Sequence, residues 1–190
     1  MTTEAMSFAR KRMFADDAAV AARGPAAASP PGEGLRIAGY ASLFGVADLS
    51  RDVVEAGAFA AALAKRGAGG IRMLFQHDPA RPVGVWTSLR EDARGLAVQG
   101  RLTVGAAGTL AALIVDGAVD GLSIGFRTIR ARTDPHTRLR HILEADLWEI
   151  SIVTFPMLTG ARLSALQGPG PAPAAMDGTT RAAAFAASRN

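Results

Sequence analysis

Gly121-Leu122-Ser123-Ile124-Gly125-Phe126 is a short run in which a serine stands between two glycines, with apolar residues at every second position. Successive side chains of a β-strand point to opposite faces. As a strand, the run sends Leu122, Ile124 and Phe126 into a core and leaves Ser123 on the other face. Only the hydrogens of Gly121 and Gly125 flank it there, so its hydroxyl is expected to face an open slot as wide as a peptide backbone. Glycine inside a strand weakens it and often marks close approach by another chain. A strand with one small outward polar residue explains the same letters, so the rest of the chain must decide between the two.

On either side of this run the pattern alternates between extended and helical spacing. Leu110, Leu113, Ile114 and Ala118 recur at helical intervals, which predicts a helix over Thr109–Ala118. Thr133-Asp-Pro-His-Thr137 reads as a turn, and Leu139–Thr154 as a long final strand. Upstream, Leu35–Phe44 alternates as a first strand, Asp52–Glu55 is a short extended piece, and Gly57–Arg66 is a helix. Phe59, Ala62 and Leu63 form its apolar stripe, and Gly67 stands where a C-terminal cap is expected. Ile71–His77 is a further strand, and Val83–Leu89 with Gly95–Val104 reads as a hairpin turning at Glu91–Arg94. The sum is about seven strands with two inserted helices, too directly consecutive for βαβ units. The expected fold is mainly β, an antiparallel barrel with flanking helices.

The ends of the chain differ from this middle. Residues 1–34 hold a possible short amphipathic helix around Phe8–Phe14 and then an Ala/Pro/Gly-rich stretch, and 167–190 is again low in complexity. Both have little to bury and are expected as flexible segments around a domain spanning 35–166. A chain of 190 residues is long enough for one such domain with a real core. It has no cysteine, which excludes disulfides and fits a reducing compartment. Three histidines without an HxxxH pair argue against structural zinc. No apolar run is long enough to cross a bilayer, and no signal-peptide block opens the chain, so a soluble cytoplasmic protein is expected. The formal charge of +4 permits an acidic partner without requiring one.

Three positions carry chemistry. His77 ends the face that holds Ile71, Met73 and Phe75, at the rim of a core and just before Asp78-Pro79. A core histidine with satisfied hydrogen bonds is the plainer reading, but the imidazole is also suited to take a proton near neutrality. On the final strand, strict alternation puts Leu139, His141, Leu143, Ala145, Leu147, Glu149, Ser151 and Val153 on one face. Glu144 and Asp146 fall on the other, which begins charged. A carboxylate at Glu149 in an apolar row must be paired or hydrogen-bonded, either in a structural ion pair or in a site. Serine, histidine and an inward carboxylate on separate strands are the components of acyl transfer. There is no G-x-S-x-G elbow, which disfavours an α/β-hydrolase.

The order GYASLFG, GAF, FQHDPARPVG, GLSIGF, LWEISIVTFP resembles the prohead (procapsid maturation) serine proteases of tailed phages and gene transfer agents, over Ile37–Ala165. The resemblance implies a herpesvirus-protease-like β-barrel, no cofactor, Ser123 as nucleophile and His77 as base. Glu149, within L-x-E-x-S-x-V-x-x-P, is implied as the third member. Herpesvirus relatives use a second histidine there, which keeps His141 as a rival. Eight residues along a strand is about 27 Å, so Glu149 and His141 cannot orient the same imidazole. Substrates would be major capsid protein and scaffold segments, and possibly the enzyme itself, inside the assembling procapsid. A homo-oligomer is compatible with this, and no membrane is involved. This chain departs from the usual TFPAN type at Thr154-Phe-Pro-Met157. The competing readings are an inactive capsid-assembly or scaffold-type protein of the same fold, and a nucleic-acid module using Arg127, Arg130, Arg132, Arg138 and Arg140. The latter lacks interleaved aromatic platforms, so nucleic acid is disfavoured.

Overall fold

The computed structural model describes residues 34–105 and 107–166. The two terminal segments, including the helix expected around Phe8–Phe14, lie outside the described residues. In chain order the elements are β1 (Arg36–Leu43), β2 (Asp52–Val54), α1 (Ala60–Arg66), a 3-10 turn at Ala68–Gly70 and β3 (Arg72–Phe75). There follow β4 (Asp78–Glu91), β5 (Gly95–Leu102), α2 (Ala107–Val115), β6 (Gly121–Thr133), β7 (Arg140–Val153) and β8 (Leu163–Ala165). Both helices and the β4–β5 hairpin stand where spacing put them, and Gly67 follows α1 at φ 61° with its N–H on the Leu63 carbonyl. β8, only three residues long, has no counterpart among the expected strands.

The strands form one curled sheet, a half-barrel in the order β2-β7-β3-β4-β5-β1-β8, with β6 on the far edge of β7. Its two ends meet where Gly121 of β6 bridges Arg162. There the Leu122 N–H donates to the Ala161 carbonyl at 2.9 Å and the Leu163 N–H to the Asp120 carbonyl at 2.8 Å.

The expected antiparallel barrel is corrected to a curled sheet of mixed strands. β2 and β3 both run parallel to β7, end to end along one of its edges. The segment between them fills the gap, the Ala145 N–H donating to the Ala58 carbonyl at 2.9 Å. Alternation reveals which faces residues share but carries no information about the direction of a partner strand, and these partners are distant in sequence.

β7 also breaks strict alternation. Against β6 the register skips Trp148 and Leu143 on β7, and Ile129 on β6. Each skip is a bulge, and each extra residue moves the following side chains to the opposite face. Ile142, Ala145, Leu147, Ile150 and Ile152 therefore all belong to the core, with Ile37, Phe59, Ile71, Met73, Leu96 and Leu122. Glu149 does not share a row with Ala145 and Leu147 as expected. It lies with Ser151, Asp146, Glu144 and His141 on the outer face, and Trp148, at the bulge, is 51% exposed.

Leu143 and Leu147 have the same parity in the sequence but different environments, Leu147 being fully buried and Leu143 half-buried. Leu147→Ala should lower the unfolding free energy by about 3 kcal/mol, and Leu143→Ala by about 1 kcal/mol. Urea unfolding of both variants measures this. Equal losses would mean that the bulges do not set the face.

Candidate active site

His77 is not the last residue of a strand. β3 ends at Phe75, which pairs with Asp78, so Gln76 and His77 are the two residues of a hairpin turn. Their φ angles are 57° and 59°, the left-handed pair that a type I′ turn requires. Such turns favour Asn and Gly, and each non-glycine residue in this region costs on the order of 1–3 kcal/mol. Contacts to β7 and to the residue following it offset that strain. The Gln76 N–H donates to the Ile152 carbonyl at 3.0 Å and its Nε2 to Thr154 Oγ1 at 2.8 Å. The His77 N–H donates to Ser151 Oγ at 3.2 Å. Alternation along β3 could not have aimed this imidazole, because the turn resets its direction.

The ring Nδ1 of His77 lies 2.6 Å from Glu149 Oε1. The other carboxylate oxygen, Oε2, accepts from Ser151 Oγ at 2.6 Å. Both side chains are largely shielded, 26% and 14% exposed. With Nδ1 donating to the carboxylate, a neutral imidazole carries no hydrogen on Nε2, which is then able to accept a proton. Ser151 completes a closed circuit, accepting from the turn's backbone and donating to the carboxylate. Sequence reasoning gave it no role. The signal was present in Glu149-Ile150-Ser151, two polar residues at the spacing that puts them on one strand face.

Ser123 is 6% exposed and pairs in register with Ser151. Directly opposed residues of an antiparallel pair share a face with Cβ atoms about 5 Å apart. Ser123 thus stands on the same outer face, one strand away from the hydroxyl that joins His77 to Glu149. Leu122, Ile124 and Phe126 face the core side, as the alternation predicted.

Ser123 lines a depression of about 280 Å³ with Ser42, Ile124 and Met157, while the space over each flanking glycine is taken up by the chain itself. A methyl group on Gly125, the register partner of Glu149, would overlap the Glu149 carboxylate. A methyl group on Gly121 would lie 2.5 Å from the Val153 carbonyl and 2.8 Å from Pro156 Cδ. These glycines leave room for the chain's own Glu149 and Pro156.

The remaining candidates have other partners. His141 Nδ1 lies 2.6 Å from Glu55 Oε1, beside β2 and away from Glu149. Asp146 accepts from Arg66 Nη2 at 2.6 Å and from Trp148 Nε1 at 2.8 Å. The Trp148 and then the Arg66 hydrogen bond hold its carboxyl below the ordinary aspartate range. Glu144 meets Arg130 at 3.8 Å. Among the described residues, no group of three or more His, Cys, Asp or Glu side chains is placed to hold a metal ion.

The family model described as caudovirus prohead serine protease matches residues 26–168. The chain is 40% identical over 136 residues to the prohead protease of Enterobacteria phage HK97, covering 68% of this chain and 59% of that protein. It thus spans little more than half the length of this curated relative. Among solved structures, the bacteriophage T4 capsid assembly protease superposes with a TM-score of 0.54 at 18% identity, covering 65% of this chain and 84% of that one. KSHV protease gives a TM-score of 0.49 at 15% identity, covering 72% and 66%. With a match over most of its length, the chain belongs to the caudovirus prohead serine protease family.

Proposed function

We propose that the chain is a serine endopeptidase that cuts capsid-protein and scaffold segments inside an assembling procapsid, with Ser123, His77 and Glu149 as its catalytic residues. The observation that carries this reading is the 2.6 Å contact between His77 Nδ1 and Glu149 Oε1, one strand away from Ser123. Imidazole Nε2 takes the Ser123 proton as Oγ attacks the scissile carbonyl, then delivers it to the leaving amine. Glu149 keeps the proton on Nδ1 and stabilises the imidazolium that forms, without becoming protonated itself. Water repeats the cycle on the acyl-enzyme and frees Ser123.

Replacing Ser123 with alanine removes one oxygen from an otherwise intact face. Cleavage of the particle's co-expressed major capsid protein should fall on the order of ten thousand-fold or more, with the melting temperature nearly unchanged. A variant that matures the capsid protein near the normal rate would remove the serine-protease reading.

Glu149→Gln keeps the volume and removes the charge, and its amide can impose the wrong imidazole tautomer. Its rate should fall by on the order of a thousandfold or more. His141→Ala, whose imidazole is engaged by Glu55, should lose less than about threefold. A fast Glu149→Gln enzyme beside a dead His141→Ala enzyme would move the third role to His141.

Gly125→Ala tests the packing of the carboxylate. The added methyl group must push Glu149 off His77, and a displacement near 1 Å should lower kcat by about a hundredfold. Kinetics with the same substrate measure this, and normal kcat would mean that the close fit of Glu149 over Gly125 is unimportant.

A further inference from the structure

On the outer face beside Glu149 lies a depression of about 540 Å³. Leu74, Pro79, Pro82, Val85, Trp148 and Glu149 line it over β3, β4 and β7. Its charged lining groups are Arg72, which is exposed, and Glu149. Arg72 Nη1 donates to the Gly69 carbonyl at 3.5 Å, and Glu149 holds His77 and Ser151. The remaining wall is apolar and partly open to water, with Val85 42% and Trp148 51% exposed.

An indole half in solvent is normally free to change rotamer, but this one is held. The bulge aims Trp148 outward, its Nε1 donates to Asp146 at 2.8 Å, and Arg66 clamps Asp146 from the other side at 2.6 Å. Bulges recur next to active sites, where they re-aim a side chain. A large aromatic surface fixed before binding loses little entropy when a partner covers it.

We propose that this depression is a specificity pocket for a large apolar side chain of the polypeptide being cut, with Trp148 as its determining wall. The proposal rests on the serine-protease reading above, because the pocket and the His77–Glu149 pair share Glu149. β3, beneath its centre, is two strand spacings, about 10 Å, from β6, and Glu149 is two residues along β7 from Ser151. The side chain it receives therefore belongs to a residue within about four positions of the cut bond.

The test is digestion of a proteome-derived peptide library, with cut positions read by mass spectrometry. The enzymes are the unmodified full chain, Ser123→Ala, Trp148→Ala, Trp148→Phe and Val85→Asp. The expected result is enrichment of Leu, Met or Phe at one position near the cut. On a matched pair of peptides with Leu or Ala at that position, Trp148→Ala should shrink the kcat/KM ratio by about tenfold or more. Trp148→Phe should keep most of that ratio, and Val85→Asp should reduce it from the opposite wall. An unchanged ratio in Trp148→Ala overturns the pocket and leaves the serine-protease reading standing, as does an equal loss on both peptides. Identical cut lists from the unmodified chain and Ser123→Ala would overturn the serine-protease reading, and the pocket with it.

Discussion

The candidate site depends on one carboxylate held largely out of water. At 14% exposure the polar oxygens of Glu149 need partners, and it has an imidazole on one oxygen and a hydroxyl on the other. Each partner is itself fixed by backbone. Ser151 sits inside the β6–β7 ladder, and His77 is in a turn whose N–H returns to Ser151. Gly125 contributes by having no side chain where the carboxylate must lie.

β7 gives these contacts a common frame. Its outer face carries Glu149 and Ser151, one edge carries β6 with Ser123, and the other edge carries β3, which leads into the His77 turn. Its inner face supplies Ile142, Leu147, Ile150 and Ile152 to the core. The apolar packing that stabilises the strand thus also fixes the mutual positions of the polar groups on its back. A hydrogen bond adds only modestly to net stability by itself, so its alignment comes from the core beneath it.

Much of this was legible in the sequence, for reasons that also explain the failures. Helices at α1 and α2, the β4–β5 hairpin and the core-facing Leu122 follow from local periodicity and turn chemistry, which short windows record well. Ser123, His77 and Glu149 were selectable as chemistry-bearing residues in regular surroundings, and the contact between His77 and Glu149 is present. Their directions were harder to read. Bulges at Leu143 and Trp148 each reverse the face, so alternation was right about Glu144 and Asp146 sharing a face and wrong about Glu149 keeping company with Leu147. The left-handed turn at Gln76–His77 has no glycine or asparagine to announce it, because contacts from β7 and Thr154 substitute for local preference. The parallel pairing of β2 and β3 with β7 joins segments too far apart for any local pattern to reveal.

The same left-handed turn imposes an order in time. Its stabilising contacts come from Ser151 and Ile152, and Ser151 lies 74 residues downstream of His77. A ribosome adding 5–20 residues per second needs about 4–15 s to cover that interval. During that interval only the pairing of β3 with β4 is available to hold Gln76 and His77, and the contacts from Ser151 and Ile152 have not been made. The imidazole acquires its orientation only when one of the last strands of the domain docks. A nascent chain therefore has no assembled centre until β7 has been made.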